Sequence, residues 1–196
     1  MSSFGVSMLE PEDLADLLKT AANSSASASP AYTGESEESE GEVASYQPGE
    51  YFVVDVRDDD FFGGNIRGAI HCASESFHST ETDSKGKALG GLARLHAMLT
   101  SPNSQADTGS AGSGVNTSGN AGGNSLRVRC KLFIFHCMMS QQRGPSCAEA
   151  FAMHCKRESE TVGLQLQDLQ IVVLRGGYRK WKHRYQGQSD LCENEN

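Results

Sequence analysis

The sequence has little apolar material and little positive charge. Hydrophobic residues make up 37% of the 196 residues, aromatic residues make up 7%, and the formal net charge is −8. We therefore expect no nucleic-acid partner, since a phosphate backbone requires clustered Lys and Arg. No apolar run approaches membrane length, and the first residues lack the charged-then-apolar pattern of a signal peptide, so we expect no membrane partner and a location in the cytoplasm or the nucleus.

The sequence also lacks the cysteine spacing of a metal site. No two of its six cysteines are separated by two to four residues, so the pattern typical of zinc ligands is missing and we predict no metal. In the cytoplasm or nucleus, six cysteines are expected to be free thiols and not a disulfide framework.

Two internal stretches are too polar to build a core. Residues 23–47 are rich in Ser, Ala and Glu, and residues 101–125 contain six Gly, six Ser and four Asn. Neither stretch can bury enough apolar surface to offset the entropy of ordering it. We therefore predict flexible insertions at 23–47 and 101–125 and a flexible tail at 187–196. The remaining residues, 1–22 and 48–186, are enough for one folded domain.

Apolar patterning predicts strands that alternate with helices. Continuous apolar runs predict buried strands at 51–54, 130–135 and 171–174. Helical spacing predicts a short helix that includes Leu14 and Leu18, helices at 88–99 and about 146–158, and a short helix containing Trp181. This order predicts an α/β fold, a central parallel sheet with helices on both faces, whose site lies beyond the carboxyl ends of the strands.

The residues after the predicted strand at 130–135 form a loop suited to an oxyanion. Cys137 begins the loop and Arg143 closes it, and the residues between them are Met138, Met139, Ser140, Gln141 and Gln142. Successive backbone N–H groups in a tight loop can form an anion nest, to which the following helix adds its N-terminal N–H groups and dipole. Arg143 can place two N–H donors on two oxygens of the anion. This electropositive setting stabilises a thiolate, so we predict that Cys137 is the nucleophile.

Two other His-Cys pairs in the chain serve as internal controls. Cys72 follows a short predicted strand but has no Arg at loop distance, and Cys155 lies inside a predicted helix. The prediction for Cys137 therefore rests on its strand–loop–helix context and not on the dipeptide.

Neighbouring residues have alternative interpretations. Asp55 and Arg57 are predicted to form an internal pair that fixes the end of a strand, with a direct catalytic role as the alternative. Ser140 either hydrogen-bonds the thiolate or closes the loop. His136 is expected to point away from the pocket and to brace the backbone of the loop. Cys147 is a resolving thiol or, as we favour, a buried helical cysteine.

Further alternatives concern acid chemistry and the pocket rim. The consecutive acids Asp58, Asp59 and Asp60 are interpreted as solvated residues of a turn, or as the source of a general acid. Met138 and Met139 form an apolar lip on the pocket or pack inward.

Three motifs, in order, resemble those of one protein family. Asp55-Val56-Arg57 with the Gly-Gly-Asn-Ile segment at 63–66 resembles the early motif of the rhodanese fold, and residues 173–181 resemble its closing motif. Together with the loop at 136–148, the chain resembles the small rhodanese-fold phosphatases related to M-phase inducer phosphatases, a group that includes eukaryotic arsenate reductases.

The resemblance implies a rhodanese-like single domain and an enzyme. It implies a cysteine-dependent phosphatase of the tyrosine or dual-specificity type that forms a phosphocysteine in a His-Cys-x5-Arg loop and acts on a phosphorylated protein or a small oxyanion without a cofactor. The alternative is an arsenate reductase that uses glutathione or a glutaredoxin as reductant. A sulfurtransferase is less favoured because rhodanese loops are typically one residue shorter, and a phospho-ligand-binding module is less favoured because it would not need the thiol.

The loop departs from the family in two ways. Residues 138–142 include no carboxylic acid, whereas the M-phase inducer phosphatases carry Glu there. Gly144 follows Arg143 where the classical tyrosine phosphatases have a Ser or Thr hydroxyl.

Overall fold

The described part of the chain alternates short strands with helices. The structure, a computed structural model, describes residues 5–26, 46, 49–77, 90–100, 130–163, 166 and 168–195. In chain order the strands are β1 (Ser7–Leu9), β2 (Tyr51–Asp55), β3 (Asn65–Ile66), β4 (Ile70–His71), β5 (Leu132–His136), β6 (Gln170–Leu174) and β7 (Cys192–Glu193). The helices are α1 (Pro11–Ala26), α2 (Gly91–Thr100), α3 (Arg143–Val162) and α4 (Gly177–Tyr185), and a 3-10 turn spans Ser74–Phe77.

Five strands form one parallel sheet in the order β1-β6-β5-β2-β4, with β5 at its centre. Each neighbouring pair is parallel, and the register of β2 with β5 places Asp55 beside His136. Because all the strands run in one direction, their carboxyl ends meet at one edge of the sheet. The predicted α/β class and parallel sheet are confirmed.

Alternating side chains of the strands build a separate core on each face of the sheet. On one face, strand residues pack against Leu95, Leu99 and Phe151 of α2 and α3; these strand residues are Val54, Phe133, Phe135 and Val173. On the other face, strand residues pack against Leu14, Leu18 and Trp181 of α1 and α4; these strand residues are Val53, Ile134, Val172 and Leu174. Successive strand residues point to opposite faces, so continuous apolar runs are what a sheet covered on both sides requires. Helices on both faces are therefore confirmed.

Several predicted element boundaries differ from those of the structure. Helix α3 begins at Arg143 and not at 146, because Ser146 N–H donates to the Gln142 carbonyl at 2.9 Å and closes the first turn there. Pro145 falls within that turn, where its missing N–H is not needed. Helix α2 covers Gly91–Thr100, and residues 88 and 89 of its predicted span lie outside the described residues.

The predicted insertions fall mainly outside the described residues. Helix α1 continues to Ala26, so the first four residues of the predicted insertion at 23–47 are helical, consistent with good helix formers at Ala21, Ala22 and Ala26. Of the remainder only residue 46 is described, and the predicted insertion at 101–125 lies outside the described residues. None of the helices in the described ranges has the length and apolarity needed to cross a bilayer.

Part of the predicted flexible tail at 187–196 is packed on the core, while residues 187–190 are exposed. Leu191 and Cys192 are buried in the core beneath α1 and α4, and β7 pairs antiparallel with β3. Two buried residues in a polar segment are too few for a periodic signal, which is why the sequence did not predict this packing.

Candidate active site

Cys137 lies at the carboxyl edge of the sheet, directly after the central strand β5. It opens the loop that ends where α3 begins at Arg143, and its side chain is 4% exposed. The predicted strand–loop–helix context is thus present. Burial raises the pKa values of Cys130, Cys147 and Cys155 to about 12, so these three thiols stay protonated at neutral pH. All six cysteines are free thiols, as predicted.

Ser140 ties the loop to its first residue through two contacts. Its backbone N–H donates to the Cys137 sulfur at 3.2 Å, and its hydroxyl oxygen accepts from the Cys137 N–H at 3.4 Å. A φ of 52° turns the Ser140 backbone into the left-handed region and aims its N–H at the sulfur. The Ser140 hydroxyl therefore closes the loop, and it is the Ser140 backbone amide that contacts the sulfur.

Helix α4 holds the loop from the opposite side. The first free N–H groups of the helix, those of Tyr178 and Arg179, donate to the carbonyls of Cys137 and Met138 at 2.9 Å each. A planar trans peptide points its carbonyl and its N–H in opposite directions. The N–H groups of Met138 and Met139 therefore point away from α4, on the side of the loop where an anion can bind.

The close contact between α4 and the loop depends on Gly177. Its φ is 59°, and a Cβ built on it would lie 2.4 Å from the Cys137 carbonyl oxygen and 2.8 Å from that of Met138. No side chain fits in that space. In the sequence, the signal for this contact is the Gly176-Gly177 pair just before the short helix that contains Trp181.

Asp55 and Arg57 form the predicted internal pair, entirely buried. The Arg57 guanidinium donates to both carboxylate oxygens of Asp55, with Nη2 to Oδ2 at 2.6 Å, and to the Gly64 carbonyl at 2.8 Å. The rings of Tyr178 and Phe61 lie over the guanidinium carbon at 4.1 and 4.7 Å. The donors of the Arg57 guanidinium are thus used by groups of the protein interior. The pair therefore stabilises the end of the strand beside the loop.

His136 lies beneath the loop, next to the backbone of Cys137. It is fully buried, its Nε2 lies 3.7 Å from Asp55 Oδ2, and neither ring nitrogen has a hydrogen-bond partner within the described residues. Burial lowers the pKa of His136, and the nearby Asp55 carboxylate only partly offsets this. The imidazole is therefore neutral near neutral pH and fills space beneath the loop.

Arg143 is held by two of the three consecutive acids. Its Nη1 donates to Asp58 Oδ2 at 3.0 Å and to Asp60 Oδ1 at 2.7 Å, and its Nη2 donates to Asp60 Oδ2 at 2.5 Å. The side chain of Arg143 is 34% exposed. The interpretation of these acids as merely solvated is wrong for Asp58 and Asp60, while Asp59 is exposed and makes no hydrogen bond or ion pair within the described residues.

The acids that bind Arg143 are poor proton donors. The hydrogen bond from Arg143 is the main reason that the pKa of Asp60 is lowered. Burial alone would raise the pKa of Asp58, but hydrogen bonds from Ser74 and Arg143 outweigh it and lower the pKa on balance. Both carboxyls are therefore ionised near neutral pH, which argues against the general-acid alternative for these two residues.

A groove of about 730 Å³ lies beside the loop. Met138, Met139 and Gln141 line it on the loop side, so both methionines contribute to its rim. Gln142 is exposed. No group of three or more His, Cys, Asp or Glu side chains in the described ranges is arranged to hold a metal ion.

The chain is similar to two phosphatases of known sequence. The chain is 34% identical over 134 residues to the CDC25-like phosphatase YCH1 of Saccharomyces cerevisiae, an alignment that covers 68% of this chain and 66%, just under two thirds, of that protein. It is 26% identical over 156 residues to the dual specificity phosphatase ibp1 of Schizosaccharomyces pombe, covering 74% and 85% of the two chains. The chain matches no protein-family profile.

A solved structure agrees with these relatives. The fold is similar to that of a yeast protein tyrosine phosphatase of the rhodanese family, with a TM-score of 0.54, 25% identity, and coverage of 100% of this chain and 96% of the other. The rhodanese-like fold is thereby confirmed.

Substitution of Gly177 by Ala tests the contact between α4 and the loop. A positive φ alone costs a non-glycine residue about 1–2 kcal/mol, and the clash with the loop carbonyls should add about 1–3 kcal/mol. The matched control is Gly187→Ala, because Gly187 has a φ of 83° but open space around its Cβ position. Chemical denaturation should show a larger decrease in the free energy of unfolding for Gly177→Ala than for Gly187→Ala. Equal decreases would contradict the close contact.

Substitution of Asp60 by Asn tests the ion pair with Arg143. The folded-state pKa of Asp60 lies below its ordinary value of 3.8, so its stabilisation is complete above that value and is lost as the pH falls through the lower pKa. We expect Asp60→Asn to lower the free energy of unfolding by about 1 kcal/mol at pH 7, and the difference to shrink below about pH 4. Asp59→Asn is the control and should change little. A pH-independent loss in Asp60→Asn would argue against the ion pair.

Proposed function

The chain belongs to the rhodanese-fold family of Cdc25-like phosphatases, and from this we propose that it is a cysteine-dependent phosphatase of the tyrosine or dual-specificity type that acts through a phosphocysteine at Cys137. The observation that carries the proposal is the geometry around the sulfur. Ser140 N–H donates to Cys137 Sγ at 3.2 Å, which stabilises negative charge on the sulfur. The N–H groups of Met138 and Met139 face away from α4 and are available to phosphoryl oxygens.

The first chemical step transfers the phosphoryl group to sulfur. The Cys137 thiolate attacks phosphorus, an S–P bond forms, the P–O bond to the leaving group breaks, and the leaving oxygen takes the bond electrons. Loop N–H groups and the N-terminus of α3 stabilise the charge on the equatorial oxygens.

In the second step, water attacks phosphorus, the S–P bond breaks, and inorganic phosphate and the thiolate are released. Because residue 144 is a glycine, it offers no hydroxyl to assist this step. A Cβ at this position would lie 3.3 Å from Ser140 Oγ and 3.6 Å from the Cys137 backbone nitrogen, so position 144 is next to the loop.

Arg143 changes partners in this proposal. In the absence of substrate its guanidinium is bound by Asp58 and Asp60 in a partly exposed position. A phosphoryl dianion in the loop offers the same bidentate geometry as a carboxylate with more negative charge. We infer that Arg143 rotates onto the phosphoryl oxygens when substrate binds, and that the two acids keep it ordered until then.

The phosphatase is favoured over the other activities that the loop allows. Arsenate is also a tetrahedral oxyanion, so arsenate reduction with glutathione or a glutaredoxin remains the alternative for the same loop. Both curated relatives are named as phosphatases, which supports the phosphatase. The seven-residue loop is less suited to sulfur transfer, and a pure phospho-ligand-binding module would not need Cys137. By the same reasoning the substrate is a phosphorylated protein or a small oxyanion.

Substitution of Cys137 by Ser should abolish phosphate release from an aryl phosphate. A serine hydroxyl is not ionised at neutral pH, so we expect kcat/KM to fall by about 10³-fold or more while the circular dichroism spectrum is unchanged. The matched control is Cys147→Ala, one turn into α3, which should remain active. Glutathione-dependent arsenate reduction is measured on the same preparations. Arsenate reduction without phosphate release by the unmodified chain would contradict the phosphatase proposal.

The chain should prefer substrates with good leaving groups. Since Asp58 and Asp60 are ionised and the loop contains no carboxylic acid, no group described near Cys137 protonates a departing alkoxide. A positioned general acid contributes about 10²–10⁴-fold, so an aryl phosphate should react at least about 100-fold faster than an alkyl phosphate. The measurement is the ratio of the two kcat/KM values between pH 5 and 8. Comparable values would mean that an acid exists, and Asp59 would be the first residue to mutate.

A further inference from the structure

The groove beside the loop has one wall made by a single face of helix α4. Arg179, Lys182, His183 and Gln186 line it, at the spacing of three and four residues that places side chains on one face of a helix. The aromatic residues Tyr178, Trp181 and Tyr185 are buried on the neighbouring face, from which Tyr178 also reaches the groove. The orientation of α4 is thus fixed by its aromatic face, and its polar face is committed to the groove.

On this polar face, Arg179, Lys182 and His183 have no acidic partner among the described residues. Lys180 also lines the groove but is paired with Glu10, and Arg184, outside the groove, is paired with Glu12. The side chains of Arg179 and His183 have no hydrogen bond or ion pair with any described residue. Lys182 Nζ donates only to the Gly63 carbonyl, at 2.8 Å. We call Arg179, Lys182 and His183 the basic face of α4.

The composition of the groove contrasts with that of the chain. The charged residues among its lining are all basic, although the formal net charge of the protein is −8. A cleft lined by one sign of charge concentrates ligands of the opposite sign and steers them inward. The groove is therefore suited to an anionic ligand, although the net charge of the protein is negative.

The rim of the groove nearest the loop is apolar. Phe62 is 69% exposed and Met139 is 42% exposed, and both line the groove together with Met138. A thioether and an exposed aromatic ring make favourable contacts with an aromatic ligand. An aromatic group attached to a phosphate in the loop would meet this rim first and the basic face of α4 next.

We propose that the groove binds the residues flanking a phosphotyrosine, and that Arg179 and His183 select phosphotyrosyl peptides with acidic residues beside the phosphotyrosine. This inference rests on the proposed function, and it names the substrate class of that site. Arg179 lies next to the loop, because its backbone N–H donates to the Met138 carbonyl. His183 lies about 6 Å farther along the helix axis, close to the length of two residues of extended peptide.

The test compares two phosphotyrosyl peptides that differ only in charge. One has Asp at the two positions on each side of the phosphotyrosine, and the other has Asn there. At low ionic strength we expect kcat/KM to be roughly five- to tenfold higher for the acidic peptide, since each exposed ion pair contributes modestly. The preference should weaken at about 0.5 M salt, where the charges are screened.

Two variants assign the preference to the basic face of α4. In the double variant Arg179→Ala/His183→Gln, the ratio of the two kcat/KM values should fall toward one. Arg184→Ala is the matched control, because it removes a cation from the same helix that is paired with Glu12 and does not line the groove. It should keep the ratio of the unmodified chain.

Binding to the Cys137→Ser variant, measured by fluorescence polarisation of labelled peptides, separates recognition from chemistry. Tighter binding of the acidic peptide to Cys137→Ser would support the groove proposal if the preference is lost when Arg179→Ala/His183→Gln is added to that variant. Equal affinity and equal kcat/KM for the two peptides, or a preference that survives the double variant, would overturn it while leaving the proposed function intact. If neither peptide nor the aryl phosphate released phosphate, the proposed function would fail as well.

Discussion

The hydrogen bonds from the first turn of α4 to the carbonyls of Cys137 and Met138 are the contact on which the rest of the site depends. They satisfy N–H groups that a helix start leaves without partners inside the helix. Peptide planarity then fixes the direction of the loop N–H groups. Trp181 of the same helix is buried in the core, so core packing fixes the position of the helix that holds the loop. The direction of the loop N–H groups that we propose to bind an anion is therefore set by the fold itself.

Two Arg–Asp clusters at the same edge of the sheet show how burial decides what an ion pair can do. Arg57 is fully buried with Asp55, and its other donors reach backbone carbonyls, so separating the pair would leave an uncompensated charge in the interior. Arg143 makes a similar bidentate contact with Asp60 while partly exposed, where water can compensate each partner. The first pair is suited to a fixed structural role and the second to an exchange of partners.

The sequence was informative wherever a periodic or ordered pattern existed. Continuous apolar runs identified β2, β5 and β6, and the order of strand, Cys137, loop and helix identified the candidate site. It could not show that Asp58 and Asp60 hold Arg143, because that contact joins residues more than 80 positions apart. Nor could it find β7, since two buried residues in a polar segment carry no period. The helical spacing placed the start of α3 at about residue 146, three residues late, although a first-turn proline such as Pro145 is compatible with a helix.

Helix α4 gives separate tasks to separate parts of nine residues. Its first turn holds the loop, its aromatic face completes a core, and its basic face is free of both. Substitutions on that last face can accumulate without disturbing folding or the arrangement around the sulfur. A lineage could therefore change which partners it recognises while its reaction chemistry stays constant, and the same independence offers protein engineers one helix face on which specificity can be randomised.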